Sequence, residues 1–357
     1  MTLPTSFGDG DAPRLRLGEA TIFSREGFVL PQQHKQHREY FRLMTGKDAV
    51  IDWLRRHGVR AEPSDPGRIA DQVLASLPGF WGIHLIADPD TLRLLDEMSK
   101  SVRRHTDGKI EEFPDRSVEV TRWKALAHRR AQQGLPRVTL EGFIKANIFR
   151  LGLVLDCPSC QKENWFGIEA LQLQLTCERC LKIFEFPQAE LNFAKTRWHY
   201  RVVGPYGVPD YAEGAYATVL ALRAFAEGFG AHDINLTYAT GLNFTVDDQN
   251  PFEVDFTFWY QRRRILDLEE EPVLVFGEAK SFAAESFKEA DLSRMRKLAE
   301  KFPGAFLVFA TLKDELSDAE KAEIGQLATW GRERLPDRRP RAPVIVLTGR
   351  AILQLAH

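Results

Sequence analysis

The chain has 357 residues, 44% of them hydrophobic and 27% charged, which is the make-up of an ordinary globular protein with apolar material for two or three domains. Its net charge of −2 excludes a polycation, so any grip on nucleic acid must come from local basic surfaces. No run approaches the roughly 18 apolar residues of a membrane helix, and residues 1–18 lack the basic and apolar regions of a signal peptide, so no membrane partner is expected and the cytoplasm is the expected location.

Residues 1–138 read as a mixed α/β region without a catalytic motif. After a lead-in, a strand hairpin is expected from Leu17 to Leu30, with Gly27 near its turn. Helical spacing covers 34–57, where Tyr40, Phe41, Met44, Val50, Trp53 and Leu54 recur. Further helices are expected at 68–77, 90–104 and 117–133, and Phe80 to Ile86 (FWGIHLI) reads as a buried strand. His34 and His37 stand three apart and could pair on a metal, but no further ligand is near and they read as surface. The local basic clusters are Lys35, Arg38 and Arg42; Arg262, Arg263 and Arg264; and the arginine-rich loop 332–341. Solvated faces or loops are the usual fate of such runs.

Residues 139–195 hold a short helix (TLEGFIKANI), a strand and all four cysteines: Cys157, Cys160, Cys177 and Cys180. Two CxxC pairs separated by sixteen residues have the spacing of a four-thiolate zinc site. Each CxxC turn aims two sulfurs at one point, and two turns complete a tetrahedron at about 2.3 Å per zinc–sulfur bond. Leu171, Leu173 and Leu175 alternate as a β-ribbon should, and Trp165 and Phe184 are expected to pack beside the metal. Redox pairs would want a thioredoxin-like βαβ setting, which is missing. The segment resembles a β zinc ribbon. Four thiolates leave no open position for water, so the Zn²⁺ is expected to be structural, holding a segment too small to fold on its own core.

From 196 to 357 the elements follow quickly. A helix at 211–229 is apolar nearly all round, which implies burial. Strands at 233–246, 252–260 and 272–280 precede a helix at 285–301, a strand from Ala305 to Thr311, a helix at 318–333 and a strand from Pro343 to Thr348. Ser317 and Glu320 form a capping-box pattern. The order is α-β-β-β-α-β-α-β. Side chains alternate along a strand, so Glu253 and Asp255 share a face, and so do Glu278 and Lys280. With the insert QRRRILDLEEEP as a hairpin loop, the acids and the lysine converge at the ends of adjacent strands. Such oxygens suit a hard divalent cation. Asp255, Glu278 and the Ala279 carbonyl would hold Mg²⁺, which polarises a phosphate and lowers the pKa of a bound water, and Lys280 would position that water. A Glu278–Lys280 ion pair at a sheet edge is the plainer reading, yet E-x-K directly after VLVFG is costly to bury without a reason.

Asp255 followed by the Glu278-Ala279-Lys280 triplet resembles the PD-(D/E)XK motif of the restriction-endonuclease-like superfamily, across about 196–357. Val254 stands where the motif has proline. The resemblance implies an α/β (α+β) fold with an α-β-β-β-α-β core, preceded here by the zinc ribbon and the N-terminal region. It implies a Mg²⁺-dependent nuclease, with Mn²⁺ as a substitute ion and DNA favoured over RNA. In many members a glutamate on the preceding helix also reaches the metal; Glu213, read as sharing a helical face with Tyr216 and Leu220, matches that role. Glu253 is the substitute for Asp255. Lys288, Arg294, Arg296 and Lys297 on the following helix could contact phosphates, although at least half of them read as solvated. The arrangement resembles restriction or anti-phage effectors, in which one part senses or recruits and another cuts, and a homodimer or partner protein fits that scheme. The rival expectation is a non-cutting adaptor that binds nucleic acid or protein through the ribbon and a degenerate nuclease-like domain. Such a domain should have lost Asp255, Glu278 or Lys280, and none is missing.

Overall fold

The computed structural model describes residues 22–24, 27–29, 45–77, 79–99, 102–104, 110–112, 117–133, 135, 138–188, 196–228, 234–247, 250–262, 273–282 and 286–353. The first half of the chain forms β1 (Ile22–Ser24), β2 (Gly27–Val29), α1 (Gly46–Arg56), β3 (Val59–Pro63), α2 (Asp65–Ser76), α3 (Gly79–Gly82), α4 (Pro89–Met98), β4 (Val102–Arg104), β5 (Ile110–Glu112), β6 (Val118–Glu119), α5 (Val120–Gln132) and α6 (Leu140–Lys145). Next come β7 (Phe149–Asp156), β8 (Glu163–Gly167), β9 (Gln174–Thr176), β10 (Ile183–Glu185), β11 (Trp198–Val202) and the single turn α7 (Pro209–Glu213). The remainder is α8 (Ala215–Gly228), β12 (Ile234–Val246), β13 (Phe252–Arg262), β14 (Val273–Lys280), α9 (Glu289–Lys301), β15 (Phe306–Thr311), α10 (Asp318–Gly331), β16 (Val344–Leu347) and α11 (Gly349–Leu353). The protein is thus mixed α/β with several sheets. Among the described residues, no helix is long and apolar enough to cross a membrane.

The described residues fall into two compact units. One gathers those within Met1–Leu74, Gly79–Ile83 and Gly214–His357; the other those within Ala75–Pro78 and His84–Glu213. This differs from the division at 138/139 and 195/196 expected from the sequence. The physical reason is strand pairing, which joins distant segments without leaving a local signal. β3 is an antiparallel neighbour of β12, and β11 lies between β6 and β7.

The first unit is built on a six-stranded sheet in the order β16-β15-β14-β13-β12-β3. β14, β15 and β16 are parallel, and β14, β13, β12 and β3 alternate in direction. β14 reads VLVFGEAK and is buried along most of its length, as a strand covered on both faces should be. Leu274 and Phe276 of β14 and Leu307 and Phe309 of β15 share a core with Leu292, Met295 and Leu298 of α9 and Ile324 and Leu327 of α10. Val50 and Leu54 of α1 extend that core over β3 and β12. The nearly all-apolar α8 is buried as expected and packs on β12, β13, β14 and β15. From α8 to β16 the chain follows the expected order, with α11 added beyond it.

Some local expectations are corrected. Phe80 to Ile86 is not a strand but α3 and a 3-10 turn, Ile83–Leu85. A short apolar run has no period to distinguish the two, and Gly79, at φ +63, supplies the bend. The turn delivers Phe80 to Tyr238, with ring centroids 5.1 Å apart. The helix expected at 90–104 stops at Met98, where Ser99 caps it, and Val102–Arg104 is a strand. The helix expected at 34–57 is described from Gly46, capped by Thr45; His34, His37, Lys35, Arg38 and Arg42 lie outside the described residues, as do Arg263 and Arg264.

The second unit holds the antiparallel sheet β6-β11-β7-β8 and the β9–β10 hairpin. Trp123, Phe143, Phe149 and Tyr200 form its aromatic core, with neighbouring centroids 4.3–5.3 Å apart. The buried Arg130 guanidinium donates to the carbonyls of His84 and Leu85, each at 2.7 Å, and to Thr91 Oγ1 at 3.0 Å, which ties the 3-10 turn to α4.

Candidate metal centres

The four cysteines meet, with their sulfurs within 4.8 Å of one another. Cys157 and Cys180 are 3.6 Å apart at Sγ, and so are Cys160 and Cys177. A tetrahedron with 2.3 Å bonds has edges of roughly 3.8 Å, whereas a disulfide would need about 2.05 Å. The two turns are built alike. Cys157 N–H donates to Lys162 O at 2.9 Å and Gln161 N–H to Cys157 O at 2.9 Å; Cys177 N–H donates to Lys182 O and Leu181 N–H to Cys177 O, both at 3.0 Å. In each turn the residue after the second cysteine is left-handed, Gln161 at φ +57 and Leu181 at φ +56. The Cys180 amide aimed at its sulfur draws the Cys177 thiol down to about 6, against the opposing effect of burial. This group could hold a zinc ion.

One residue here escaped sequence reasoning. Asn164, fully buried on β8, donates from Nδ2 to Lys162 O at 2.7 Å and accepts at Oδ1 from Glu178 N–H at 2.9 Å. It straps the first cysteine turn to the second. A lone asparagine between a glutamate and a tryptophan carries no sequence signal for this. One expectation nearby is corrected. Leu173 is 70% exposed, and only Leu175 of the alternating leucines is buried, because β9 is just Gln174–Thr176 and Leu171 follows a 3-10 turn, Ile168–Ala170. Trp165 serves the sheet: its Nε1–H donates to His199 O at 3.1 Å, and its ring covers Gly152, where a Cβ would meet it at 2.2 Å.

The acidic and lysine residues lie in the other unit. β13 and β14 pair antiparallel with Phe256 opposite Gly277, and continuing that register by one residue sets Asp255 opposite Glu278. The Phe256 ring lies across Gly277, where a Cβ would meet it at 2.0 Å, so glycine permits the close cover just before Glu278. Asp255 Oδ2 accepts the Ala279 N–H at 2.6 Å. Lys280 Nζ donates to Glu278 Oε1 at 2.7 Å and stands 3.7 Å from Asp291 Oδ2. Arg294 pairs with Asp291 and lies 4.0 Å from Glu278 Oε1. Asp291 also caps α9, accepting the Lys288 N–H at 3.0 Å.

Electrostatics follow from this packing. Asp255 as a residue keeps some exposure, but its carboxyl is desolvated, and burial together with the Glu278 charge raises it well above its ordinary 3.8; Glu253 adds to the effect. Burial raises Glu278 as well, with Lys280 opposing. Lys280 is held charged by Glu278, Asp255 and Asp291 despite burial. Glu253 Oε1 is shielded and, among the described residues, has no hydrogen-bond partner.

The expected residues do not all join this arrangement. Asp255, Glu278, Ala279 and Lys280 are together. Glu213 is exposed and does not share a helix with Tyr216 and Leu220. It ends a left-handed turn in which Asp210, Tyr211, Ala212 and Glu213 all have φ of 50–58, and Gly214 at φ +81 separates it from α8. Of the four cations expected on α9, Arg294 reaches the acids. Lys288 is the N-cap, and Arg296 turns to Glu300 and to the Trp330 ring. Lys297 is exposed. Asp291 was missed, although its spacing three before Arg294, near the helix start, could have flagged it. Among the described residues, the cysteines are the cluster in which three or more His, Cys, Asp or Glu ligand atoms come together.

No protein-family model matches the chain, and neither a curated protein nor a solved structure matches it.

Proposed function

We propose that the chain is a divalent-metal-dependent nuclease of the restriction-endonuclease-like kind, favouring DNA over RNA and stapled by a structural Zn²⁺ on Cys157, Cys160, Cys177 and Cys180. The observation that carries the reading is an electrostatic deficit. Asp255, Glu278, Glu253 and Asp291 are linked electrostatically with two cations, Lys280 and Arg294, and a desolvated carboxylate is costly without a counter-charge. One divalent cation would balance the group. Asp255 and Glu278, with the Ala279 carbonyl, would hold Mg²⁺, or Mn²⁺ in its place. When bound, such an ion supplies Lewis-acid polarisation of a phosphate and a more acidic water. Asp255 is oriented by the Ala279 amide, Lys280 is held beside Glu278 to position a water or offset charge on the phosphate, and Asp291 holds Arg294 next to them. The pairing of such a site with a zinc-stapled unit fits a restriction or anti-phage effector in the cytoplasm.

A second reading, the non-cutting adaptor, draws on the same ion pairs. Lys280 and Arg294 already neutralise Glu278 in part, as a purely structural network would.

The deciding experiment is a cleavage assay on supercoiled plasmid, linear duplex, single-stranded DNA and RNA, with Mg²⁺, Mn²⁺ or EDTA. Metal-dependent cutting that Asp255→Ala and Lys280→Ala both abolish is the expected result. Equal cutting by all three proteins would remove the site from the reaction. If nothing is cut and calorimetry finds no Mg²⁺ binding that depends on Asp255, the adaptor reading replaces the nuclease.

A further inference from the structure

Between α10 and β16, residues 332–341 carry Arg332, Arg334, Arg338, Arg339 and Arg341 against Glu333 and Asp337. The segment is a built hairpin. Arg338 N–H donates to Leu335 O and Leu335 N–H to Arg339 O, both at 2.9 Å, and Arg341 N–H donates to Glu333 O at 2.8 Å. Arg334 and Pro340 form a bridge, and the Arg334 guanidinium donates to Arg338 O at 3.1 Å. At the base, Arg296 and Arg341 stack on the Trp330 ring at 4.6 and 5.2 Å. Arg341 pairs with Glu333 and Arg339 with Asp337. Arg332, Arg334 and Arg338 are exposed and have no acidic partner among the described residues.

We propose that this arginine hairpin is a docking surface for the phosphodiester backbone of nucleic acid. The choice of ligand rests on the nuclease reading, but several observations favour it on their own. All five cations are guanidinium groups, whose planar forks match phosphate oxygens. The chain's net charge is −2, so a polyanion must be met locally, and this hairpin is a local excess of positive charge. Its exposed residues include two prolines but no large apolar side chain. A protein partner would want an apolar anchor at the centre of its interface, whereas binding a polyanion draws on counterion release and needs none. The placement also suits the site. Gly304 N–H donates to Arg341 O at 2.7 Å, just before β15, while Thr311 at the end of β15 pairs with Lys280. The hairpin and the acidic site therefore stand at opposite ends of a six-residue strand, about 20 Å at 3.3 Å per residue. A duplex touching both would span roughly six base pairs at 3.4 Å each.

The test is fluorescence anisotropy with a labelled duplex of about 20 base pairs in EDTA, over a series of salt concentrations. It compares the full chain with Arg332→Gln/Arg334→Gln/Arg338→Gln, and with Arg332→Gln/Arg338→Gln, which keeps the Arg334 side chain in the hairpin. Each lost phosphate contact should reduce the slope of log K against log salt by roughly 0.9, so the double variant loses about 2 and the triple nearly 3, with at least about tenfold weaker binding at moderate salt. Unchanged affinity and slope in both variants overturns the proposal. So does a wild-type chain that binds no nucleic acid, including one that binds an acidic protein instead. Variants that bind normally while the wild type cuts would sink the hairpin alone. A wild type that binds through the hairpin yet never cuts with any metal would sink the nuclease reading alone.

Discussion

Packing one carboxylate beside others is unfavourable unless a positive charge comes with it. Asp255 is the sharpest case here, raised above its ordinary 3.8 by burial and by Glu278. An acid raised in the folded state binds more protons there than in the unfolded chain, so stability falls as pH rises. Without metal, the loss begins above pH 3.8 and is complete once the raised folded value is passed; Glu278, raised from 4.5, adds to it. Lys280 does not titrate in that window, being held charged even above its ordinary 10.5. Asp255→Asn can still accept the Ala279 N–H but carries no charge. The metal-free variant should therefore melt above the wild type at pH 8, by a few degrees at roughly 2–4 °C per kcal/mol, and the gap should close toward pH 4. Mg²⁺ should raise the melting temperature of the wild type at pH 8 and leave the variant unmoved. Calorimetric scans at both pH values check this. A variant that melts below the wild type at pH 8 without metal would mean that Asp255 is stabilising as an anion, and the deficit argued above would not exist.

The two cysteine turns place a side-chain-bearing residue where glycine is usual. A left-handed conformation costs a non-glycine residue about 1–2 kcal/mol, and Leu181 accepts it while 74% exposed, so its side chain returns little packing. Leu181→Gly should hold zinc as long as the wild type or longer under chelator challenge. Leu181→Val, whose branched Cβ fits that conformation worst, should release it several-fold faster. A colorimetric zinc assay reads both rates, and equal release by the two variants would show that the turn is not under strain. Elements of this kind explain what the sequence discloses. The cysteine spacing is local and was legible, as was the succession from α8 to β16, whose apolar runs are long and bounded by polar inserts. Glu213 was misplaced because the apolar pattern of α8 was carried back across Gly214, whose φ of +81 ends the helix. Asn164 works through a backbone contact fourteen residues along the chain, which no local pattern marks, whereas Asp291 was overlooked although its spacing to Arg294 is local. The acidic pair was legible because an E-x-K that closes a buried strand conflicts with its surroundings.

At the scale of the molecule, the sheet that carries the candidate site is completed by the N-terminal part of the chain. β3 pairs with β12 from Val59 opposite Val246 to Pro63 opposite Leu242. α1 covers the same strands with Val50 and Leu54. The start of α2 approaches more closely still: a Cβ on Gly67 would fall 2.1 Å from Gly241 O, Ser64 N–H donates to that carbonyl at 3.0 Å, and Thr240 Oγ1 donates to Gly67 O at 2.9 Å. Gly241 falls opposite Asp255 in the register of β12 and β13, between the pairs Thr240–Phe256 and Leu242–Val254. The contact with α2 therefore supports the strand that pairs with β13 at Asp255. A chain cut to residues 196–357, the domain that sequence patterns suggest, would leave Leu242, Phe244 and Val246 uncovered on an open edge and carry β11 without β6 or β7. Open apolar edges associate, so this fragment should elute as aggregate and unfold without a cooperative transition in urea. Residues 45–83 joined by a flexible linker to 214–357 should instead be monomeric, unfold cooperatively and bind Mg²⁺ in a manner lost with Asp255→Ala. Size-exclusion chromatography, urea titration and calorimetry on the two chains decide the matter. A monomeric, cooperative 196–357 fragment that binds Mg²⁺ through Asp255 would show that β3 and α1 are additions to a self-sufficient domain rather than parts of its sheet and core.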